Sequence, residues 1–413
     1  RSIFGVLFAS NHMYCICNIR QCLSWEEKMQ KKNHKKPVIG TGRGSGVRNS
    51  LGRRKFLKKT AAGFAGATAG SLLGFPYVKA AKRRIVVTAG GGAYGKSQVE
   101  AYFKPFMKET GIEVHATLSG LSLAQKKAQV QTGNVTADLV SLGFADVEIM
   151  SKNGWLVPID YSQFRKEDLD GIDPVDRHKY GMGFIYWAEV MAYRKDVFSG
   201  GNHPKNWTEF WNAKKFPGQR AFGDPGYRYS FEFALLADGV PIDKLYPLDI
   251  DRAFRSLSKI RKDVVAWWGK SAAQPAQLIN DKEVVLCSVA NGRIKAVVES
   301  GAPVGVNWNQ GMLYHTAYGI MKGAKNVEDT MKLLAFVARP ESQARMAEIV
   351  AYGPTNKNAF KLIDAKVAAN LPSNPAYRKN MFVKNDAWWV AESAPGKSNR
   401  QLVIEKWEKW KLN

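Results

Sequence analysis

The stretch RIVVTAGGG, residues 84–92, places four β-branched residues shortly before three glycines. Such a run is typical of a short buried strand that feeds a tight turn. Two further strands are predicted at Ile112–Ala116 and at 138–142. Helices are predicted through Ala124–Gln131 and in the segment that ends near Asn153-Gly154. The resulting β-α-β-α-β order predicts a mostly parallel sheet with helices on both faces.

The rest of the chain continues this α/β alternation. Ser97 is the expected N-cap of the first helix, and Pro105 inside the helical pattern indicates an interruption. A long apolar strand is predicted at Phe184–Tyr193, and a further strand at Val284–Val289 precedes a helix at Gly292–Ser300.

The composition of the N-terminal region predicts an export signal. Arg53-Arg54-Lys55-Phe56-Leu57-Lys58 precedes a small-residue apolar run at 61–73, which is typical of a twin-arginine signal over 51–81. Thirteen residues are too few to span about 30 Å of hydrocarbon. Cleavage is expected near Ala80-Ala81, which would release a periplasmic protein. Residues 1–28, which precede Met29, are interpreted as an over-extended reading frame.

Charge and cysteine content narrow the possible partners. The net charge is +25, of which residues 1–81 carry +13 and the remainder +12. The remaining cations alternate with acids, whereas nucleic-acid binders gather them on one face, so no nucleic-acid partner is expected. Only Cys287 lies beyond the leader, so no internal disulfide is expected. No run of 18 apolar residues occurs in the chain.

Four stretches resemble one family in order and spacing across 82–413. They are Ala137-Asp138-Leu139-Val140 with Asn153-Gly154-Trp155-Leu156-Val157-Pro158-Ile159-Asp160; Trp207-Thr208-Glu209-Phe210-Trp211 with Lys215-Phe216-Pro217-Gly218; Ala290-Asn291-Gly292-Arg293 with Gly301-Ala302-Pro303-Val304; and Gly319-Ile320 with Gly323-Ala324-Lys325-Asn326. Together they are similar to the periplasmic solute-binding proteins of ABC importers, of the spermidine/putrescine-binding type.

This resemblance implies a two-lobed α/β clamp, with a mostly parallel sheet flanked by helices in each lobe. Two strands would cross at the hinge, within Tyr180–Arg194 and Asn307–Ala317. Lobe 1 would comprise 82–190 and 316–358, and lobe 2 would comprise 191–315 and 359–413. The expected protein is a monomer, exported by the twin-arginine machinery, that closes on a solute and delivers it to a permease with its ATPase. Neither catalysis nor a cofactor is expected.

The polyamine-binding residues of this family are mostly absent here. By the resemblance, an aromatic ring falls on Tyr314 and is kept, whereas the carboxylate two residues later falls on Thr316. An acidic pair falls on Gly226 and Tyr229, and a tryptophan falls on Ala290. Because protonated amines need carboxylates or aromatic faces, these losses weaken the case for a polyamine.

The sequence offers cations near these positions instead. Arg228 or Arg293 is expected to pair with an acid group, which predicts an anionic or zwitterionic organic ligand. Asp146 is a carboxylate that could face an amine. The predicted ligand-binding residues are Tyr94, Phe144, Asp146, Trp187, Arg228, Tyr229, Arg293, Tyr314 and Thr316, with the tyrosines and the tryptophan supplying stacking area. A true spermidine/putrescine binder remains the alternative.

Three other functions have less support in the sequence. The segment from Gly90 to Ser97 matches the phosphate-binding loop pattern, but no later strand ends in the aspartate that would hold magnesium, so this loop is expected to line the cleft. A secreted enzyme lacks a supporting motif. Capture of a metal complex by tyrosines would draw on Tyr227, Tyr229, Tyr314 and Tyr318, and no protein-bound metal is expected because His178, His203 and His315 are scattered.

Overall fold

The computed structural model describes residues 83–228, 230–269 and 271–412. The predicted leader and export signal, residues 1–81, therefore lie outside the described residues, as does Tyr229. Among the described residues, no helix has the length and apolar character needed to cross a membrane.

Fourteen strands are present in the described part of the chain. They are β1 Arg84–Thr88, β2 Glu113–Thr117, β3 Leu139–Gly143, β4 Leu156–Val157, β5 Arg177–His178, β6 Gly181–Arg194, β7 Arg220–Gly223, β8 Val264–Trp268, β9 Leu286–Ala290, β10 Val304–Met321, β11 Gly353–Pro354, β12 Phe382–Val383, β13 Glu392–Ala394 and β14 Lys397–Ser398. The first twelve form one sheet, and the last two form a separate hairpin.

Helices separate most of these strands. They are α1 Gly92–Gln98, α2 Lys104–Thr110, α3 Leu123–Thr132, α4 Phe144–Lys152, α5 Lys166–Asp170, α6 Trp207–Trp211, α7 Pro225–Arg228, α8 Phe231–Ala237, α9 Ile250–Ile260, α10 Gln274–Asn280, α11 Asn291–Glu299, α12 Val327–Ala338, α13 Pro340–Ile349, α14 Ala365–Ala368, α15 Pro375–Arg378, α16 Asp386–Val390 and α17 Asn399–Leu412. Short 3₁₀ turns occur at Tyr161–Gln163, Pro174–Asp176, Ile242–Lys244, Arg261–Asp263 and Lys357–Lys361.

The main sheet consists of two parallel halves joined by two long antiparallel strands. Its order is β2-β1-β3-β10-β6-β9-β7-β8. β1 pairs in parallel with β2 and β3, and β7 pairs in parallel with β8 and β9. The long strands β6 and β10 pair with each other, and each also pairs with one of the two halves. The predicted α/β clamp with two crossing strands is confirmed.

The buried core follows the same division. One cluster gathers apolar residues of β1, β3 and α12, among them Ile85, Leu139 and Leu333. Another gathers residues that surround β7, among them Trp207 and Phe222. These clusters lie on either side of the crossing strands. The exact lobe boundaries proposed from the sequence stay a prediction.

The first helix differs from its prediction. It begins at Gly92 rather than after Ser97, whose hydroxyl instead donates to the carbonyl of Tyr94. A Cβ on Gly95 would lie 1.9 Å from the carbonyl oxygen of Gly90, so only glycine allows the helix to pack this closely on its entry loop. The interruption predicted at Pro105 takes the form of a π-helical turn, Val99–Phe103, directly before α2.

The second crossing strand is also longer than predicted. The second crossing was predicted within Asn307–Ala317, whereas β10 runs without a break from Val304 to Met321. A shift in the pairing with β6 between Asn307 and Met312 accommodates the passage from one half of the sheet to the other.

Candidate functional site

The two crossing strands place two predicted ligand-binding aromatics side by side. Tyr314 of β10 lies opposite Trp187 of β6 in the antiparallel register. Their rings are stacked, with centroids 3.9 Å apart and an interplanar angle of 6°. Trp187 is half-buried and Tyr314 is buried. Such a platform can bind the flat or apolar part of a small solute.

Arg228 lies beside this platform, at the end of α7. The hydroxyl of Tyr314 donates to the backbone carbonyl of Arg228 at 2.8 Å. The guanidinium lies over the ring of Trp268, 4.7 Å from its centroid, and its Nε donates to the carbonyl of Gly269 at 3.0 Å. Neither terminal nitrogen donates to another described residue, so this face of the fork can receive a carboxylate.

A second charged residue at this position, Glu189, was missed by the sequence analysis. It lies on β6 and is fully buried. Its Oε2 accepts from the hydroxyl of Tyr314 at 3.4 Å, whereas Oε1 makes no well-formed hydrogen bond within the described residues. Burial raises the pKa of Glu189 to about 7, although Ser288, Arg228 and Tyr314 each lower it. The one feature of the sequence that could have pointed to Glu189 is that it is the single carboxylate within an otherwise apolar strand.

The buried carboxylates predict a pH dependence of stability. Burial also raises the pKa of Glu232 to about 7, and an unfolded glutamate has a pKa of about 4.3. Between these values the folded protein binds more protons than the unfolded chain, so each group makes stability fall as pH rises. We expect Glu189→Gln to remove about 3 kcal/mol of this fall between pH 4.5 and 8. Urea unfolding of the wild type and of Glu189→Gln measures the free energy of unfolding at each pH in this range. If the two proteins lost stability equally as pH rises, the raised pKa of Glu189 would be contradicted.

Tyr94 and Arg293 approach each other through Tyr352. Tyr94 is half-buried, its hydroxyl lies 3.3 Å from the Ser141 hydroxyl, and its ring meets the edge of Tyr352 at 5.5 Å. Burial raises the pKa of Tyr352, and the positive charge of Arg293 partly offsets this rise. Arg293 itself is exposed in the first turn of α11. It therefore lies near the predicted aromatic residues but in contact with more water than Arg228.

Phe144 lies in a buried cluster. Its ring stacks on His315 with centroids 3.4 Å apart. Nδ1 of His315 is 2.9 Å from Oδ1 of Asp176, and Nε2 is 4.0 Å from Oδ2 of Asp386. Asp386 also pairs with the buried Lys384. This cluster joins β10, α4 and the C-terminal segment, so Phe144 is covered by protein groups rather than left open to a solute.

Two further predicted residues have structural partners. Asp146 forms an ion pair of 2.9 Å with Lys126, whose side chain is buried, so its charge is already compensated. Thr316 is half-buried on β10, between Gly143 of β3 and Ile185 of β6. Neither residue offers an unpaired carboxylate to an amine.

Lys384 is a second residue that the sequence did not reveal. Its ammonium lies 5.7 Å from the centroid of the Tyr314 ring, and burial lowers its pKa although the neighbouring Asp386 raises it. Seventy residues separate it from Tyr314 along the chain. The pairing of β12 with β10 brings the two together, because Phe382 and Val383 lie beside Met312 and Leu313.

The segment that matches a phosphate-binding loop does not form one. α1 already begins at Gly92, so Gly95 and Lys96 lie within a helix rather than in a loop that could surround a phosphate. Lys96 is exposed. Of the tyrosines considered for metal complexes, Tyr318 is buried, stacks on Phe184 and donates to Gln98. Within the described residues, no group of three potential metal ligands occurs.

Comparison with known proteins agrees with this architecture. The family described as bacterial extracellular solute-binding protein matches residues 101–378. The γ-aminobutyric acid-binding protein of Pseudomonas aeruginosa is 32% identical over 329 residues, which cover 78% of this chain and 91% of that protein. The spermidine/putrescine-binding periplasmic protein of Escherichia coli is 28% identical over 294 residues, which cover 68% of this chain and 81% of that protein.

A solved structure gives the same result for the fold. The ABC transporter substrate-binding protein from Bradyrhizobium japonicum superposes with a TM-score of 0.70 at 34% identity, and the match covers 80% of this chain and 99% of that one. The family match, these relatives and the two halves joined by crossing strands lead to one conclusion. The chain belongs to the bacterial extracellular solute-binding proteins, the family that the sequence motifs predicted.

Proposed function

We propose that this protein captures a small organic solute with a carboxylate group, either an anion or a zwitterion, and delivers it to an ABC permease. The observation that carries the proposal is the position of Arg228. Its backbone carbonyl accepts from the hydroxyl of Tyr314, which stacks on Trp187, and its guanidinium lies over Trp268 with terminal nitrogens that bind no other described residue. A planar fork next to an aromatic platform suits a carboxylate on a short carbon chain.

The similarity to a γ-aminobutyric acid-binding protein supports this ligand class. γ-Aminobutyric acid carries a carboxylate and an ammonium on three methylene groups, so it is the natural first probe. The alternative, a polyamine, has two or more cations and no acid. It would place an ammonium near Arg228 and Lys384, and Asp146, the carboxylate suggested for it, is already paired with Lys126. We therefore favour the acid.

A titration of the purified chain tests this proposal. Calorimetry would compare γ-aminobutyric acid, butyrate and putrescine at pH 7.5 and one salt concentration. We expect γ-aminobutyric acid to bind with micromolar or higher affinity and putrescine to bind at least about 100-fold more weakly, because like charges repel in a poorly solvated site. Preferential binding of putrescine would favour the polyamine alternative instead.

Export of the chain and closure of its two lobes are also part of the proposed function. The segment 51–81 would direct the chain through the twin-arginine machinery, with cleavage near Ala80-Ala81, and N-terminal sequencing of periplasmic protein tests that position. The mature protein would act as a monomer without catalysis, nucleic acid or a cofactor. Lobe 1, 82–190 and 316–358, would close on lobe 2, 191–315 and 359–413, by bending of the crossing strands.

A further inference from the structure

Glu189 is a buried carboxylate whose surroundings compensate its charge only in part, because burial raises its pKa more than Ser288, Arg228 and Tyr314 lower it. It lies on the strand β6, opposite Met312 of β10 and Ala290 of β9, and none of its surface is exposed. No lysine, arginine or histidine within the described residues forms an ion pair with it at 4.0 Å or less. A buried charge without a partner is costly, so its presence suggests a function.

The hydrogen bonds around Glu189 leave room for a donor. The contact with the Tyr314 hydroxyl is long, at 3.4 Å, and that hydroxyl makes a shorter bond of 2.8 Å to the carbonyl of Arg228. The oxygen of Ser288 accepts from the backbone N–H of Gly223 at 2.9 Å and from the indole N–H of Trp268 at 3.3 Å, so its own hydroxyl proton is left to donate to Glu189, whose pKa it lowers. Oε1 of Glu189 remains without a well-formed bond in the described part of the chain.

Glu189 and Arg228 are also close neighbours. The position that a Cβ on Gly223 would occupy lies 3.0 Å from Oε1 of Glu189 and 3.0 Å from Cβ of Arg228. The two residues therefore share one end of β7, beside the stack of Trp187 on Tyr314. One small region thus combines an acceptor for a cation, a donor fork for an anion and aromatic faces.

We propose that Glu189 recognises the ammonium group of the solute while Arg228 holds its carboxylate, so that the ligand is a short zwitterionic amino acid. This inference rests on the proposed function and narrows its ligand class. An ammonium beside Glu189 would donate to the incompletely bonded carboxylate, supply its missing countercharge and lie next to the aromatic platform. A simple acid would leave Glu189 unpaired, and a diamine would leave Arg228 unpaired.

The test compares two ligands that differ in the amine alone. Calorimetry would measure γ-aminobutyric acid and butyrate on the wild-type chain and on Glu189→Gln, which keeps the shape and removes the charge. We expect the wild type to prefer γ-aminobutyric acid, and Glu189→Gln to reduce this preference at least about 30-fold. The butyrate affinity should not fall.

A matched control variant distinguishes recognition of the ligand ammonium by Glu189 from the effect of removing any buried carboxylate. Glu232 is equally buried, and its Oε2 likewise has no hydrogen bond within the described residues, but its Oε1 accepts from the Tyr246 hydroxyl and from the Trp389 indole, the latter at 2.8 Å. We expect Glu232→Gln to leave the preference for γ-aminobutyric acid within about threefold of the wild type, because that carboxylate already has donors.

The pH dependence of binding provides a second measurement. The titratable groups that face Glu189 are Arg228 of α7, Glu232 of α8, Cys287 of β9 and Tyr314 of β10. Of these, the Cys287 thiol stays protonated between pH 5.5 and 8 because burial raises its pKa, and repeating the measurement on Glu232→Gln removes the contribution of Glu232. Protonation of Glu189 below pH 7 should reduce the preference for γ-aminobutyric acid about tenfold or more by pH 5.5.

The outcomes separate the inference from the proposed function. If the wild type prefers γ-aminobutyric acid and Glu189→Gln keeps that preference, Glu189 is not the ammonium partner, whereas the carboxylate proposal stands. A preference that is unchanged at pH 5.5 leads to the same conclusion. If the wild type binds γ-aminobutyric acid and butyrate equally, the inference fails while a carboxylate ligand is retained. If it binds neither, both fail.

Discussion

Replacement of Arg228 by alanine is expected to weaken the binding of γ-aminobutyric acid at least about 100-fold. Truncation of one member of a desolvated charge pair costs about 2–5 kcal/mol, because the ligand carboxylate is left without its donors. Arg228 is half-buried, and its guanidinium is held over Trp268 and bonded to Gly269, so little ordering is required when a ligand binds. Calorimetry on the full chain measures the effect.

Three variants make this result specific. Arg228→Lys keeps a positive charge but not the planar fork, so we expect it to recover only part of the affinity. Arg255→Ala changes an exposed arginine on α9 and should bind as the wild type does. Arg293→Ala tests the other cation predicted from the sequence. An affinity loss in Arg293→Ala together with normal binding by Arg228→Ala would transfer the role of acid partner to Arg293.

The largest loss of stability is expected from Asp138→Ala. Asp138 is buried, and its carboxylate accepts from the backbone N–H groups of Val86, Lys325 and Asn326 at 2.9, 2.9 and 3.1 Å. The side-chain amide of Asn326 adds a fourth bond at 3.2 Å. These bonds tie β1 to the start of α12. Their removal should lower the free energy of unfolding by about 3 kcal/mol, since partly buried donors lose their acceptor.

Asp160→Ala is the matched control for this prediction. Asp160 is exposed and accepts from its near neighbours Ser162 and Gln163, so its loss should cost less than about 1 kcal/mol. Urea unfolding monitored by tryptophan fluorescence measures both variants. Equal stabilities of Asp138→Ala and Asp160→Ala would show that the Asp138 carboxylate does not hold these segments together.

The architecture could be predicted because it depends on local patterns in sequence order. The β-branched run before Gly90 and the apolar run that ends near Leu142 became β1 and β3, and Asn206 caps α6 through a bond from the Glu209 N–H at 2.8 Å. Boundaries were less accurate. The glycines after β1 indicated a loop, but Gly95 serves a close approach within a helix, which depends on a contact with Gly90 in space.

The candidate site was predicted less completely than the fold. Trp187 and Tyr314 were identified, and they stack as the paired crossing strands allow. Asp146 was identified by its charge alone, and no pattern in the sequence indicated that Lys126 would neutralise it. Glu189 was overlooked because an acid in an apolar strand carries no motif. Its importance follows only from the neighbours that surround it.

The sequence by itself determined the order of strands and helices, the two crossing strands and the solute-binding family, because these follow from apolar periodicity, turn residues and motifs spaced along one chain. Only the tertiary structure decided which charges meet. Glu189 and Tyr314 lie far apart in sequence and come together because β6 pairs with β10, and Arg228 joins them because β7, which precedes it, is linked to β6 through β9. Electrostatic interactions depend on separation and burial in space, which a linear pattern does not specify.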